Sequence, residues 1–441
     1  MSKLALLGGS KAVTSEIGDM FHWPIANQEM EKGIVDVLRE GSMSGSDITK
    51  KFEREFADWH GVEYGLACSS GTASLHCAMF GAGIGVGDEI IAPSITYWAT
   101  CTQALSLGAS VVFADILPDT LCIDPADIER KITERTKAVM VVHYMAMPAE
   151  MDEIMRIARK HNIKVIEDVS HAHGALYKGQ MVGTFGDAAG FSLMSGKSFA
   201  IGEGGILLTN NREIYERAIL FGQYARHGDL KIEELQQNSG LPWGGYKYRM
   251  HQMSSAVGVA QMKKYPAEIA EIDKAMNYFW DLLEDTPGIQ PHRPSRDSGS
   301  TMGGWYAAHG LYKSEELGGL SLKRFTDAVT AEGYSCTPGC NLPLHTHPLF
   351  STVDVYGHGK PTQSAFMPEG IDNRQAESDL PVASVINDKT YSVPWFKHFR
   401  KDIIEQHADA FKKVAANYQD LLPGDTDKDT GGSWGLTARK G

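Results

Sequence analysis

Between residues 163 and 205 the chain sets an acidic pair, two histidines and a lysine at the ends of apolar runs. The run IKVIED closes on Glu167 and Asp168, and His171 and His173 follow in EDVSHAHG. A second run, FSLM, leads into SGKS, where Lys197 sits among Ser195, Gly196 and Ser198, and then into the glycine turn GEGG. Most lysines are solvated surface residues. Lys197 instead follows an apolar strand pattern with no acid beside it. Burial disfavours the charged ammonium and supplies a neutral amine, able to form imines and move protons. Asp168, at another strand end, needs a cationic or hydrogen-bonding partner once buried. A protonated pyridine nitrogen is such a partner, and a helix N-cap or a structural salt bridge are the ordinary alternatives. An amine and a carboxylate on separate strand ends are what pyridoxal phosphate chemistry requires: Lys197 for the Schiff base, Asp168 for the ring nitrogen.

Three further groups surround this pair. The turn CSSGTAS, Cys68–Ser74, joins a strand pattern to an amphipathic helix. Small residues at a helix N-terminus let backbone N–H groups approach an anion, so Ser70, Gly71 and Thr72 fit a phosphate; an N-cap turn uses the same residue types. Thr96-Tyr97-Trp98 follows the strand pattern EIIAPS. A ring there stacks on a pyridine face or packs in the core. His171 and His173 form H-x-H, which with His143, His345 or His347 is a rival metal set. In the cofactor reading, His171 donates to the phenolic oxygen instead.

The elements that must position these groups are legible as alternating patterns. Seven strand-like runs appear: EYGLAC, EIIAPS, SVVFAD, AVMVVHY, IKVIED, AAGFSLM and GILLTN. Helical spacing falls between them, as in 149–160, where Met151, Ile154, Met155 and Ala158 share a face. Such alternation predicts an α/β fold with a mostly parallel seven-stranded sheet between helices. Ligands bind at strand carboxyl ends in such sheets. The Pro/Asp/Ser cluster PHRPSRDSGS, 291–300, marks a boundary. The expected units are a large domain over 20–290 with an N-terminal arm and helix, and a smaller C-terminal α/β domain over 291–421. That smaller domain carries a polar insertion at 351–379. Residues 422–441, polar and glycine-rich, are expected to form a mobile tail.

The chain has 441 residues and a formal charge of −13, from 42 basic and 55 acidic side chains. Without a basic stripe it is a poor partner for nucleic acid or an anionic membrane. No apolar run approaches a membrane span. The six cysteines form no C-x-x-C pair, and free thiols in a reducing cytoplasm are the expectation.

Taken together, SGTASL, GVGDEIIAPSITYWAT, EDVSHAHGALYKG, FSLMSGKS with GEGG, GYKYRM, PLHTHP and LPVAS resemble the DegT–DnrJ–StrS family of sugar aminotransferases, of fold type I. The likeness runs from about residue 20 to 420. The opening LALLGGSKAV and the later WP are similar to the branch acting on aminocyclitols or related free keto compounds. The resemblance implies pyridoxal phosphate, an amino-acid donor (glutamate or glutamine), and a keto-sugar or cyclitol acceptor. It also implies a homodimer with shared active sites. Gly71, Thr72, Ser192 and Ser70 would hold the phosphate, Tyr97 would stack on the ring, and Asp168, His171 and Lys197 keep the roles above. The family's G-x-N-x-R segment, which reaches a partner's phosphate, is here Gly245-Tyr246-Lys247-Tyr248-Arg249, with Lys247 replacing Asn. Its V-H-L-Y-G-x-P pattern is altered to Val142-His143-Tyr144-Met145-Ala146-Met147-Pro148. His345, His347, Arg226 and His227 are candidate substrate contacts. The family's sugar 3-dehydratases carry histidine in place of the lysine, so Lys197 points to transamination. The rivals are a pyridoxal-phosphate-dependent dehydration and a non-catalytic regulator of the same fold.

Overall fold

A computed structural model describes residues 3–428 and 430–434. The seven runs all become strands. They are β1 (Tyr64–Cys68), β2 (Glu89–Pro93), β3 (Ser110–Ala114), β4 (Thr136–Val142) and β5 (Lys164–Asp168), then, after the short hairpin β6 (Leu176–Tyr177) and β7 (Gln180–Met181), β8 (Ala188–Ser192) and β9 (Gly205–Thr209). They form one sheet in the order β1-β9-β8-β5-β4-β2-β3. Only β9 runs against the others. Parallel neighbours need crossovers: helix Met151–His161 is the one between β4 and β5, while helix Gly71–Gly81 carries the chain from β1 to the distant β2. The helix Met151–His161 buries Met151, Ile154, Ile157 and Ala158 and ends at Asn162, whose left-handed φ of 53° closes the helix.

The chain continues through a 32-residue helix, Gln252–Leu283, capped by the His251 side chain. Beyond it β10 (Ile289–Pro291), β11 (His309–Tyr312) and β12 (Thr390–Ser392) make an antiparallel sheet in sequence order. Helices Leu322–Ala331 and Lys401–Ala416 accompany it. The first residues of the chain are tied to this region: the Glu332 carboxylate accepts from the N–H groups of Ala5 and Ala12 and pairs with Lys413.

The insertion at 351–379 lies along β3, the edge of the large sheet. Gln363 takes the Val111 N–H on its amide oxygen and returns an N–H to the Val111 carbonyl. Gln375 does the same for Phe113, at 2.6 and 2.8 Å. Side-chain amides thus replace a neighbouring strand on an edge that would otherwise expose unpaired backbone groups. In the segment expected as a tail, Leu342 N–H bonds the Ser433 carbonyl and the Trp434 indole donates to the Pro343 carbonyl. Residues 429 and 435–441 of that segment lie outside the described residues. Among the described residues no helix is long and apolar enough to cross a membrane.

Candidate active site

Successive residues of a strand face opposite ways, and this separates the acidic pair at the end of β5. Glu167 accepts from Gly183, Phe185 and Gly186 N–H groups at 2.7 to 2.8 Å and from His143 Nε2 at 3.0 Å. His143 Nδ1 accepts from Ala149 N–H, which fixes the proton on Nε2. Glu167 is therefore a structural anchor for the loop after β7. Asp168 faces the other way. Its Oδ1 accepts from Ser170 N–H at 3.1 Å and its Oδ2 from the Thr100 hydroxyl at 2.8 Å.

Lys197 is 8% exposed. Its Nζ lies 4.1 Å from the centre of the Tyr306 ring, and its backbone carbonyl accepts from the Trp23 indole at 2.9 Å. Burial lowers its pKa from 10.5 to about 8, and the Asp168 charge opposes part of that shift. His171 is buried against the Tyr306 ring, with centres 4.8 Å apart. Burial, and then the Lys197 charge, push its pKa well below the usual histidine value. Its Nδ1 accepts from Met145 N–H at 3.3 Å. The proton of the neutral ring is therefore on Nε2, the tautomer that can donate to a phenolic oxygen.

The turn proposed for an anion lies at the carboxyl end of β1. Ser70 caps helix Gly71–Gly81, accepting from Ala73 N–H. A Cβ at Gly71 would come 2.6 Å from the Cβ of Ser192, so only glycine lets the helix start meet β8 this closely. Gln103 binds this turn to the next one, donating to the carbonyls of Thr72 and Ala99. Tyr97 is half-buried beside Trp98, their ring centres 4.9 Å apart. The Tyr248 carbonyl accepts from Ser69 N–H, and the Arg249 backbone pairs with Cys68. This lays the GYKYR segment against the turn, with Lys247 exposed and Arg249 half-buried.

These residues fit pyridoxal phosphate. A glycine-lined helix N-terminus offers donors for the phosphate, a carboxylate stands at a neighbouring strand end for the ring nitrogen, and a buried amine of lowered basicity is available for the aldehyde.

The remaining candidates have partners within the chain. Every nitrogen of Arg226 is engaged: Nη1 with buried Glu53 at 2.7 and 2.9 Å, Nε with Asp229, and Nη2 with the Tyr215 hydroxyl. The substrate role expected for Arg226 gives way to a structural one, because removing it from Glu53 would strand a buried charge. His227 Nδ1 accepts from Gly240 N–H and His347 Nδ1 from Leu349 N–H, each within a loop. His345 is buried at the end of β2, with Nδ1 2.7 Å from the Ser94 hydroxyl. The histidines of the rival metal set thus have separate partners, and no cluster of three or more metal-type ligands occurs among the described residues. Sequence reasoning missed Tyr306, Trp395, Tyr144 and Thr100. Trp395 packs edge-on to Tyr306, and Tyr144 packs against His171. Thr100 closes the motif GVGDEIIAPSITYWAT and Tyr144 falls in the altered 142–148 pattern, but sequence assigns neither a role, and no local pattern marks Tyr306 or Trp395. Trp23 was visible only as part of the WP signature.

In the altered 142–148 pattern, Met145 and Ala146 both take positive φ, 49° and 70°. Ala146 holds the position where the family pattern has glycine, and a side chain in that conformation carries strain of roughly 1–3 kcal/mol.

An open, mostly parallel sheet with a buried lysine and an opposed aspartate at its strand ends defines a fold type I transferase using pyridoxal phosphate. The family described as the DegT/DnrJ/EryC1/StrS aminotransferase family matches residues 24–371, and the chain belongs to it. It is similar to L-glutamine:scyllo-inosose aminotransferase of Streptomyces griseus, 30% identical over 95% of this chain and 99% of that one. GDP-perosamine synthase of Escherichia coli O157:H7 is 35% identical over 70% of this chain and 80% of its own length. Among solved structures, an aminotransferase from Psychrobacter cryohalolentis superposes with a TM-score of 0.77 and 27% identity, covering 91% of this chain and all of the other. The enzyme class is a pyridoxal-phosphate-dependent aminotransferase.

Proposed function

We propose that the protein transfers an amino group from glutamate or glutamine to a ketone of a sugar or cyclitol, in amino-sugar biosynthesis. The observation that carries this is Lys197: a buried amine of lowered pKa, held beside Tyr306 and within the field of Asp168. When bound, pyridoxal phosphate supplies the electron sink and carries the amine between the two substrates. The chain's own residues do the rest. Ser70, Gly71, Thr72 and Ser192 hold the phosphate, and Tyr97 covers the ring. Asp168 holds the proton on the ring nitrogen, and His171 donates to the phenolic oxygen. Lys197 would hold the cofactor through its amine and would serve as the group that takes and returns a proton at the substrate carbon.

Two features favour a cyclitol or free keto-sugar acceptor. The relative from Streptomyces griseus matches almost end to end. Near Lys197, the rings of Trp23, Tyr306 and Trp395 pack together, with the Lys397 amine against both indoles, an aromatic surface with a polar donor suited to a sugar or cyclitol ring. The working unit is a homodimer in the cytoplasm, Lys247 and Arg249 of each chain serving the phosphate across the interface. The test is Lys197→Ala. It is expected to lose the visible band of bound cofactor and to lower turnover with a keto-cyclitol and keto-sugar panel by roughly 10²–10⁴-fold or more. Undiminished turnover would sink the reading. Product analysis of the same panel separates amination from dehydration.

A further inference from the structure

Behind Asp168 two threonine hydroxyls form a chain with one possible direction. The Thr100 hydroxyl is 2.8 Å from Asp168 Oδ2, and the carboxylate can only accept from it. Thr96 Oγ1 is 2.7 Å from Thr100 Oγ1. With the Thr100 hydrogen on Asp168, Thr96 must donate to Thr100. Both threonines are buried, at 1% and 0% exposure, and so are shielded from bulk solvent. They sit on the loop that carries Tyr97 and on the short 3-10 turn Trp98–Thr100. Gln103 ties that turn to the phosphate turn through Ala99 and Thr72.

We propose that Thr100, backed by Thr96, is a positioning residue that keeps the proton shared with Asp168 on the cofactor's ring nitrogen. The inference rests on Asp168 being that nitrogen's partner. Hydrogen bonds donated to a carboxylate favour its charged form, and a chain of hydroxyls polarises the last donor further. With Thr100 on Oδ2 and Ser170 N–H on Oδ1, each oxygen is fixed and keeps a lone pair for the ring nitrogen. Without the Thr100 hydroxyl the carboxylate competes better for the shared proton. The ring then becomes the neutral pyridine, a poorer electron sink. A hydroxyl that served only the turn would not affect where that proton lies.

The test uses holoenzyme loaded with pyridoxal phosphate isotope-labelled at the ring nitrogen and read by NMR. Thr100→Val is expected to move the nitrogen signal toward that of neutral pyridine. It should lower kcat roughly 10- to 100-fold with little change in the donor KM. Thr100→Ser restores both, and Thr96→Val gives a smaller change in the same direction. Should Thr100→Val fail to fold, Thr100→Ala removes the same hydroxyl. A folded, cofactor-loaded Thr100 variant with wild-type nitrogen signal and kcat overturns the inference. Asp168→Asn separates the two readings. If it moves the signal and Thr100 variants do not, only the role of Thr100 falls. If it leaves the signal in place, the assignment of Asp168 falls as well.

Discussion

Lys197 is poised by burial rather than by a neighbouring base. Its pKa of about 8, against 10.5 for a solvated lysine, means that the amine of the apo-protein loses its proton near physiological pH. Capture of the cofactor aldehyde needs the neutral amine. The rate at which apo-protein takes up pyridoxal phosphate is therefore expected to climb with pH, roughly tenfold per unit, and to level off above pH about 8. Stopped-flow absorbance measures it, and a plateau reached only near pH 10 would contradict the burial argument. The sign for stability follows from the same shift. Between pH about 8 and 10.5 the unfolded lysine holds a proton that the folded one has lost. In that window this group makes the apo-protein more stable as pH rises. The lysine and the aspartate were legible from sequence, because a charged residue closing an apolar run is a local anomaly. Tyr306 was not, because nothing around it departs from an ordinary loop, and Thr100, though it closes a motif, carries no signature of the carboxylate it meets.

At the scale of elements, the edge of the large sheet is the point of interest. Strand β3 has β2 on one side and the insertion on the other, and Gln363 and Gln375 each return a pair of hydrogen bonds to its backbone. Replacing both with alanine leaves four backbone groups of the edge without partners. A loss of about 2–6 kcal/mol in unfolding free energy is expected, at roughly 1–3 kcal/mol for each lost pair, along with concentration-dependent association through the bared edge. Denaturant titration and light scattering read the two effects. A variant with wild-type stability would show that the insertion merely drapes over the sheet. The seven strands were readable from sequence because central strands are continuously apolar and their turns are rich in glycine. The clasp by the insertion was not, since two glutamines in a polar stretch carry no signature of what they pair with.

For the whole molecule, the question is whether one chain completes a site. The GYKYR segment packs against its own phosphate turn through backbone bonds. The guanidinium of Arg249 has no ion-pair partner among the described residues. Exposed Leu241 and Trp243 lie just before this segment. If Arg249 serves a partner's phosphate, Lys197→Ala and Arg249→Ala proteins are each inactive alone. Mixed and reassembled in equal amounts, they recover roughly a quarter of wild-type activity, because hybrid dimers hold one intact site. No recovery in verified hybrids would place Arg249 in its own chain's site.

By itself the sequence determined the strand and helix pattern, the capped turn at Ser70–Thr72, and Asp168 and Lys197 at the ends of apolar runs. Each is written in local residue order, as apolar period, turn chemistry or a charge out of place. Only the tertiary structure decided what these groups touch. Tertiary packing brings Thr100 to Asp168 across 68 residues, lays the backbone of residues 183–186 on Glu167, and closes Arg226 onto Glu53. Those contacts join segments far apart in the chain, and nothing in the immediate sequence of any one partner encodes them.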